Sequence, residues 1–453
     1  MNVLLLSTYE LGRQSFSVSS AAAWLKRAHA EVRTMDLAIE RLDRTAVRWA
    51  DVVCFSVPMH TATRIAVRLA ARVRQLNPNA HLCFFGLYAS VNEELFRSLG
   101  AGTILGGEFE PGLVEMVERL SGQQSSSEQT SPLISLERLD FVVPDRSGLP
   151  RLSRYAFLTM PDGSQRVAGY TESTRGCKHL CRHCPVVPVY GGNFRIVPRE
   201  IVLADISQQV DAGAQHITFG DPDFLNGPGH ARRIVEELHR RWPTLSYDVT
   251  IKVEHLARHS EMIPLLRDTG CVMITSAVES IDEHVLTLLD KRHTPEEFER
   301  VVHSSRACDL AFNPTFVTFT PWTTAEGYVD LLDRLAALDL VENVSPVQYG
   351  IRLLIPSGSR LLELDETQRI IEPFDPVALV YPWRHPDPRM DELHQQVLAI
   401  VQEDQTAGAS RTNTWLRVSD AASRLVQPSR PRSRLNEGFG IPPVPRLSEP
   451  WYC

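Results

Sequence analysis

The sequence predicts an α/β protein in which a doubly wound parallel sheet is followed by a partial (βα)6 barrel and a C-terminal extension. Short β-branched runs alternate with helical patterns from residue 3 to residue 120, a polar stretch interrupts them, and the alternation then resumes with longer spacing. Such alternation is typical of parallel sheets, whose strands need long and usually helical crossovers. The predicted units are 1–120, a flexible linker at 121–132, the barrel with a lead-in hairpin at 133–365, and the extension at 366–453.

The composition limits the classes of protein to consider. The 453 residues carry 47 basic and 55 acidic side chains, a net charge of −8, so no nucleic-acid partner is expected. No apolar run approaches the ~20 residues that cross a bilayer, and Met1–Leu6 lacks the basic flank of a signal peptide. Eight cysteines, three of them clustered, favour a reducing compartment and a metal site over disulfides. We therefore expect a cytoplasmic protein without a membrane partner.

The first unit contains five strand patterns, separated by helical patterns, at 3–6, 31–35, 51–56, 81–85 and 103–105. In doubly wound sheets, ligands bind beyond the carboxyl ends of the strands. Glycines stand at two of those ends, at Gly86 and at Gly106-Gly107. The linker that follows has too few apolar groups to form a core.

The second unit repeats the alternation after a turn signal at Asp162-Gly163, which predicts a hairpin. Its strand patterns are at 216–219, 246–252, 272–278, 311–319 and 347–354. Barrel chemistry lies at the carboxyl ends of such strands. Arg352, in the last of them, is a candidate for binding an acidic group of a substrate or for an ion pair inside the barrel.

A loop with three cysteines precedes these strands. Cys177, Cys181 and Cys184 stand at i, i+4 and i+7. Four-iron clusters are normally held by four thiolates, so three on one loop would leave one iron open to a ligand that is not protein. A zinc site completed by His179 or His183 is the alternative, although zinc sites usually need a second distant pair. The remaining interpretation is that the three cysteines bind no metal and are close in sequence by chance.

The cysteine spacing, together with residues 172–176 before it and 190–195 after it, resembles the radical S-adenosylmethionine (radical SAM) superfamily. The resemblance implies that the open iron binds the amino and carboxylate groups of S-adenosylmethionine, which is cleaved to a 5′-deoxyadenosyl radical. His183 stands where the family usually has an aromatic residue beside the adenine. Because imidazole is also flat and can stack, His183 is a candidate cofactor-binding residue.

The same resemblance assigns roles to carboxylates after the second barrel strand. Asp221, in Gly220–Phe224, is the first candidate for the ammonium group of S-adenosylmethionine, and Asp223 is the second. Charge-assisted hydrogen bonds are the stronger kind, which suits a cation. The alternative is that Asp223 or Asn226 caps the next helix, and both roles can hold together.

The next two strand ends supply four more candidates. Lys252 and Glu254 share one side of their strand by the two-residue period, and Lys252 is a candidate for the methionyl carboxylate. A salt bridge between the two is the alternative. Glu279 and Ser280, followed by the family-like segment 288–291, are candidates for the ribose hydroxyls. Helix capping by Ser280 is the alternative reading.

The first unit resembles the cobalamin-binding domain attached to many radical SAM enzymes. The resemblance rests on 86–90 and 105–110, so Gly86, Gly106 and Gly107 are candidate cofactor-binding residues. The histidine that ligates cobalt in many corrinoid proteins is absent from Tyr9–Gln14. Either cobalamin binds without that ligand, or the fold is kept only for packing and for holding the substrate. His60 could substitute as the cobalt ligand, although a surface role is the alternative for it.

The tail, 442–453, resembles that of a radical SAM family whose chains end in Cys-Sec-Ala-Glu-Pro or Cys-Cys-Ala-Glu-Pro. So do 9–12, 220–228 and 385–388. The resemblance makes Cys453 a candidate catalytic thiol and the protein a selenoprotein candidate, with a chain truncated at a selenocysteine codon. A natural terminus with one surface cysteine is the alternative.

These inferences combine into one functional expectation. The resemblance implies a radical SAM enzyme with a [4Fe-4S] cluster, S-adenosylmethionine and a possible cobalamin, acting as a methyltransferase on a small molecule or peptide. Flavodoxin or ferredoxin is the expected reductant. A cobalamin-free transfer or rearrangement, in which tail thiols hold a soft atom, is the alternative, and a non-catalytic iron–sulfur protein is the remote one.

Overall fold

The structure is a computed structural model that describes residues 1–122, 132–426 and 444–449. The first sheet has six parallel strands in the order β2-β1-β3-β4-β5-β6. They are β1 (Asn2–Ser7), β2 (Glu31–Asp36), β3 (Val52–Ser56), β4 (His81–Phe85), β5 (Ala101–Gly107) and β6 (Ile134–Ser135). The helices between them are α1 (Phe16–Arg27), α2 (Arg44–Trp49), α3 (His60–Leu76), α4 (Glu93–Ser98) and α5 (Glu110–Leu120).

Alternate residues of these strands enter two apolar clusters, one on each face of the sheet. Leu4 and Leu6 pack on one face, whereas Val3 and Leu5 pack on the other. A sheet buried on both faces needs the continuous apolar strands found in this chain. The predicted doubly wound sheet is therefore confirmed.

The second sheet has seven strands in the order β14-β13-β12-β11-β8-β7-β15. The first five strands in this order are parallel to one another. The strands in and beside it are β7 (Phe157–Thr159), β8 (Gln165–Thr171), β9 (Thr174–Gly176), β10 (Phe194–Ile196), β11 (His216–Phe219), β12 (Ser246–Thr250), β13 (Cys271–Glu279), β14 (Ala311–Phe316) and β15 (Arg446–Leu447). β7 and β8 form the predicted lead-in hairpin. β9 and β10 form a separate antiparallel pair that flanks the cysteine loop.

The remaining helices pack mainly around this partial barrel and its large apolar core. They are α6 (Val187–Tyr190), α7 (Arg199–Asp211), α8 (Pro228–Arg241), α9 (Val253–Arg258), α10 (Met262–Asp268), α11 (Glu283–Leu288), α12 (Pro295–Ala307), α13 (Ala325–Ala337), α14 (Asp365–Gln368), α15 (Pro388–Ala407) and α16 (Arg411–Ser423). No helix in the described ranges is both long and apolar enough to span a bilayer.

The predicted sixth barrel strand, 347–354, is wrong as a continuous strand. Pro346–Gly350 is a 3₁₀ helix, and only Arg352 bridges to Phe319 as a parallel strand would. The Gln348 carbonyl accepts a hydrogen bond from the Thr318 hydroxyl at 3.0 Å, and the Tyr349 carbonyl accepts one from the Tyr328 hydroxyl at 2.7 Å. Because side chains satisfy these backbone groups, no sheet ladder is needed there.

The unit boundaries drawn from the sequence stay predictions, and two short strands cross them. β6, which lies after the predicted linker, pairs with β5 of the first sheet. β15, in the predicted extension, pairs with β7 of the barrel sheet. Most of the predicted linker, residues 123–131, lies outside the described residues.

Candidate active site

The three-cysteine loop lies between β9 and β10, at the carboxyl ends of the barrel strands. Gly176, just before Cys177, has φ +72°, and a Cβ there would lie 2.4 Å from the Tyr190 ring. Burial, together with the charge of neighbouring cysteines, raises the pKa of Cys177 to about 11 and of Cys184 to about 12. Thiols that are this hard to ionise alone become thiolates when a bound cation compensates them. The donor set therefore fits an iron–sulfur cluster.

Asp221 supports the strand that leads into this loop. One carboxylate oxygen accepts hydrogen bonds from the Ser173 and Thr174 hydroxyls at 2.7 and 2.6 Å, and the other accepts from the Ser173 N–H at 2.9 Å. The side chain is 2 % exposed, and its burial raises the pKa of Asp221 to about 6. These contacts give Asp221 a positioning role, and its contact with an ammonium group stays a prediction.

Arg175 joins the cysteine loop to the first sheet. Its guanidinium lies 3.0 Å from Glu108 and 2.7 Å from Glu110, which both follow β5, and 3.4 Å from Glu172. The Tyr190 hydroxyl donates to the other oxygen of Glu108 at 3.2 Å. The loop is therefore held directly against the carboxyl edge of the first sheet.

Glu279, at the end of β13, connects His183 of the cysteine loop with a buried lysine. Its Oε1 lies 3.1 Å from His183 Nε2 and 3.3 Å from Lys291 Nζ. Burial acts to raise the pKa of Glu279, but the Lys291 charge and the His183 imidazole outweigh it and lower the pKa to about 2. Glu279 has φ +67°, and Asp290 and Arg292 on either side of Lys291 are also left-handed. Strained backbone of this kind is concentrated at functional sites.

The predicted shared strand face of Lys252 and Glu254 is wrong, because β12 ends at Thr250, Lys252 is the N-cap of α9 and Glu254 is in its first turn. Lys252 Nζ lies 3.3 Å from Glu254 Oε2, so the predicted alternative of a salt bridge is present. Glu254 also contacts His179 and Arg258. Since Lys252 is 7 % exposed and already paired, its contact with a methionyl carboxylate stays a prediction.

Asp223 performs the capping role that the sequence predicted, and a second role besides. One of its oxygens accepts the Leu225 N–H at 3.0 Å. The other faces His255 and His179, and these imidazoles outweigh burial and lower the pKa of Asp223 to about 2. Capping by Ser280 is wrong, because Asp282 caps α11, whereas the Ser280 hydroxyl accepts the Asp282 N–H at 3.0 Å.

The candidate glycines of the first sheet are close to other parts of the chain. A Cβ at Gly107 would lie 2.2 Å from the Ser135 carbonyl oxygen, and one at Gly106 would lie 2.8 Å from the Ser90 hydroxyl. At Gly86, φ is +110° and the nearest atom would be 3.4 Å away. The space beside Gly106 and Gly107 is therefore filled by β6 and its neighbours.

The remaining predicted residues lie away from this centre or outside the described residues. His60 Nε2 bonds to the Ala378 carbonyl at 2.7 Å. Arg352 pairs with Asp391 at 2.7 Å and lies 3.6 Å from the centre of the Trp383 ring, as its ion-pair alternative predicted. Cys453 lies outside the described residues. A cavity of about 530 Å³ is at the opposite edge of the first sheet, beside Asp51 and His81.

Sequence reasoning did not include several buried residues of the site. His255 is not exposed at all, and neither nitrogen of His293 has a hydrogen-bond partner. Burial and the charges of Lys291 and Lys252 lower the pKa of His293 to about 3, so its ring is neutral. Lys291 and Arg175 stood in segments that resembled the family, which was their only signal, and His255 and His293 had none.

Comparisons with known proteins support the fold. The model of the Radical SAM superfamily matches residues 171–334. Hopanoid C-3 methylase of Methylococcus capsulatus is 26 % identical over 59 % of this chain and 54 % of the relative. A tRNA-2-methylthio-N(6)-dimethylallyladenosine synthase of Haemophilus influenzae is 22 % identical over 66 % of this chain and 61 % of the relative. The chain thus spans less than two thirds of these relatives.

Two solved structures share the fold of this chain. The cobalamin-dependent S-adenosylmethionine radical enzyme OxsB with aqua-cobalamin bound has a TM-score of 0.68 at 14 % identity, covering 89 % of this chain and 67 % of that one. The radical S-adenosylmethionine methyltransferase TsrM from Kitasatospora setae has a TM-score of 0.55 at 18 % identity, covering 75 % and 70 %. The family match shows that residues 171–334 contain a radical SAM domain, and this domain, together with the methylase and methylthiotransferase relatives, supports an enzyme. Such a domain implies a [4Fe-4S] cluster and S-adenosylmethionine as cofactors.

Proposed function

We propose that this protein is a radical SAM enzyme that binds a [4Fe-4S] cluster through Cys177, Cys181 and Cys184 and transfers a methyl group with the help of cobalamin. The observation that carries the proposal is the convergence of three thiols on one loop inside a radical SAM domain. Among the described residues, the other cysteines lie in the first sheet or beside β13 and α12. Three thiolates leave one iron for S-adenosylmethionine.

In this proposal, the cluster supplies the electron that cleaves S-adenosylmethionine when both are bound. The chain's own residues position the nucleotide. His183 offers a flat ring for the adenine and is oriented by Glu279, which Lys291 holds ionised. Glu279 and Ser280 bind the ribose hydroxyls, Lys252 binds the methionyl carboxylate, and Asp221 and Asp223 remain the candidates for the ammonium group.

The proposal places cobalamin at the carboxyl edge of the first sheet, near Gly86. Support comes from the shared fold and from Arg175, which draws this edge and the cysteine loop together. Any cobalamin there binds without a histidine from Tyr9–Gln14. Because β6 fills the space beside Gly107, a second candidate is a cobalamin-free radical SAM transfer or rearrangement. We place the enzyme in the cytoplasm, with flavodoxin or ferredoxin as reductant and a small molecule or peptide as substrate.

We also propose, from the resemblance of the tail, membership of the family that ends in Cys-Sec-Ala-Glu-Pro or Cys-Cys-Ala-Glu-Pro. In that family Cys453 and a neighbouring selenol or thiol would form a soft, reducible pair. Reading the DNA beyond the Cys453 codon tests this. TGA followed by codons for Ala-Glu-Pro and a selenocysteine insertion element supports a selenoprotein, whereas TAA or TAG contradicts it.

The central experiment is anaerobic reconstitution with iron and sulfide, followed by reduction with S-adenosylmethionine. The wild type should hold about four irons and four sulfides per chain and release 5′-deoxyadenosine. Replacing Cys177, Cys181 and Cys184 with Ala should abolish all three signals. C308A is the matched control because this cysteine lies outside the loop, and it should behave as the wild type does.

Two results contradict the proposal. Near-stoichiometric iron in the triple variant would show that the three thiols are not the cluster ligands. A wild type that holds the cluster but never cleaves S-adenosylmethionine would support the non-catalytic reading. Corrinoid analysis of the same preparation separates the methyltransferase from the cobalamin-free alternative.

A further inference from the structure

Three side chains from separate segments converge beside the cysteine loop. His179 lies between Cys177 and Cys181, Asp223 follows β11, and His255 is in α9. Their side chains are 7, 1 and 0 % exposed. One ligand-type atom of each lies within 4.8 Å of the other two. The loop and the ends of two barrel strands thus meet at a buried group of two imidazoles and one carboxylate.

The hydrogen bonds of this group are incomplete. His255 Nδ1 and Asp223 Oδ2 lie 2.7 Å apart, yet neither atom makes a hydrogen bond, and the other neighbour of Oδ2, His179 Nε2, is 3.4 Å away. Buried polar atoms without partners are costly and therefore rare. The pair formed by His216 and Asp248 is a useful contrast. It is equally buried, but His216 bonds to Ser246 and Asp248 through its two nitrogens, both at 2.8 Å.

Two distances from His179 suit a metal ion shared with His255 and Asp223. His179 Nε2 is 3.2 Å from His255 Nε2 and 3.4 Å from Asp223 Oδ2. Ligand atoms around a tetrahedral ion, with bonds of about 2.0–2.1 Å, are separated by about 3.3 Å. Two imidazoles and one carboxylate with an open position form the donor set of many catalytic zinc and non-haem iron(II) sites.

The surroundings also match a metal site. His179 Nδ1 faces Glu254 Oε2 at 3.5 Å, and metal-bound histidines usually direct their second nitrogen to a carboxylate. Lys252 pairs with Glu254 at 3.3 Å. An ion bound there would take the carboxylate of Asp223 and leave Asp221 as the candidate for the ammonium group.

The geometry points to a second metal site, in which His179, Asp223 and His255 bind one divalent transition-metal ion of the zinc or iron(II) type. Through these three ligands, the ion would connect the cysteine loop with the segments that follow β11 and β12. This inference does not depend on methyl transfer or on cobalamin, because it rests on side chains outside the cluster's thiols.

The test counts metal in the full-length protein after reconstitution of its cluster, removal of loose metal and titration with Zn²⁺. The wild type should hold one ion, zinc or iron, beyond the four cluster irons. D223N and H255Q should lose that ion while keeping cluster iron and sulfide. H216Q is the matched control, because His216 is a buried histidine beside an aspartate that lacks the third ligand, and it should keep the ion.

A crystal of the wild type measured at the zinc edge provides a result that does not depend on how the variants fold. An anomalous peak between the three side chains supports the site. The inference is overturned if the wild type binds no ion beyond its cluster, if the peak lies elsewhere, or if D223N and H255Q retain the ion. Failure of the cluster to form would count against the proposed function alone, since zinc can still be counted.

Discussion

Replacing Arg175 with methionine should destabilise the contact between the cysteine loop and the first sheet. Arg175 is 6 % exposed, whereas Glu108 and Glu110, its partners at 3.0 and 2.7 Å, are not exposed at all. Methionine keeps an unbranched apolar stem that suits the nearby rings of Phe16 and Phe109, so the main change is the loss of the charged guanidinium.

The expected magnitude follows from the burial of the ion pairs. Removing one partner of a buried pair costs about 3–5 kcal/mol, because the other charge remains without compensation. For a unit of 150–250 residues, each kcal/mol lowers Tm by roughly 2–4 °C, so a decrease of about 6–20 °C is expected. Burial raises the pKa of Glu108, and the charge of Arg175 opposes that rise. Without Arg175 the carboxylate should protonate more readily, so the deficit should be smaller at pH 5.5 than at pH 8.

The assay is anaerobic thermal unfolding followed by circular dichroism, on cluster-free protein at both pH values. R199M is the control, because Arg199 and Glu200 form an exposed pair, and it should leave Tm unchanged. Iron bound after reconstitution gives a second readout, and R175M should bind less than the wild type. The reasoning is refuted if R175M shifts Tm no more than R199M does, or if its deficit grows as the pH falls.

Three further outcomes are expected. Burial raises the pKa of Glu172 to about 8, so the stabilising effect of its protonated form is complete below about pH 4.5 and is lost as the pH rises through 8. E172Q should therefore flatten the fall in Tm between pH 5 and 8.5. An unchanged dependence of Tm on pH counts against this. E279Q removes the charge that joins His183 and Lys291, so it should weaken S-adenosylmethionine binding about tenfold or more in equilibrium dialysis while cluster iron stays constant. The Co(II) electron paramagnetic resonance spectrum of corrinoid-loaded protein should show no nitrogen splitting from the chain, and splitting lost in H60Q would identify His60 instead.

Much of the site's chemistry could be predicted from local sequence, because its key donors lie within a few residues of one another. The three cysteines need only eight residues of chain, from Cys177 to Cys184, to form a metal-binding loop. Strand ends could be located because periodicity marks where each apolar run stops. These predicted strand ends located Asp223 and Glu279 at the carboxyl edge of the barrel, where they also lie in the structure.

Partners that come from distant segments could not be predicted in this way. Arg175 and Glu108 are 67 residues apart, and His179 and His255 are 76 residues apart. No period or spacing in the chain relates them. The packing of the two sheets brings the first pair together, and the closing of the barrel's strand ends brings the second pair together. The prediction of 347–354 as a strand was wrong for a related reason, because the hydroxyls of Thr318 and Tyr328 donate to carbonyls that a strand ladder would have used.

The sequence by itself therefore determined the class of fold, the cysteine loop and the edge where the strands end, since these depend on local periodicity and short spacing. Tertiary structure decided which charges are paired. It directed Asp221 to Ser173 and Thr174, joined Glu279 to Lys291, and placed Asp223 between two histidines. The physical reason is that burial makes an isolated charge costly, so each buried side chain takes whichever partner the packing of distant segments provides.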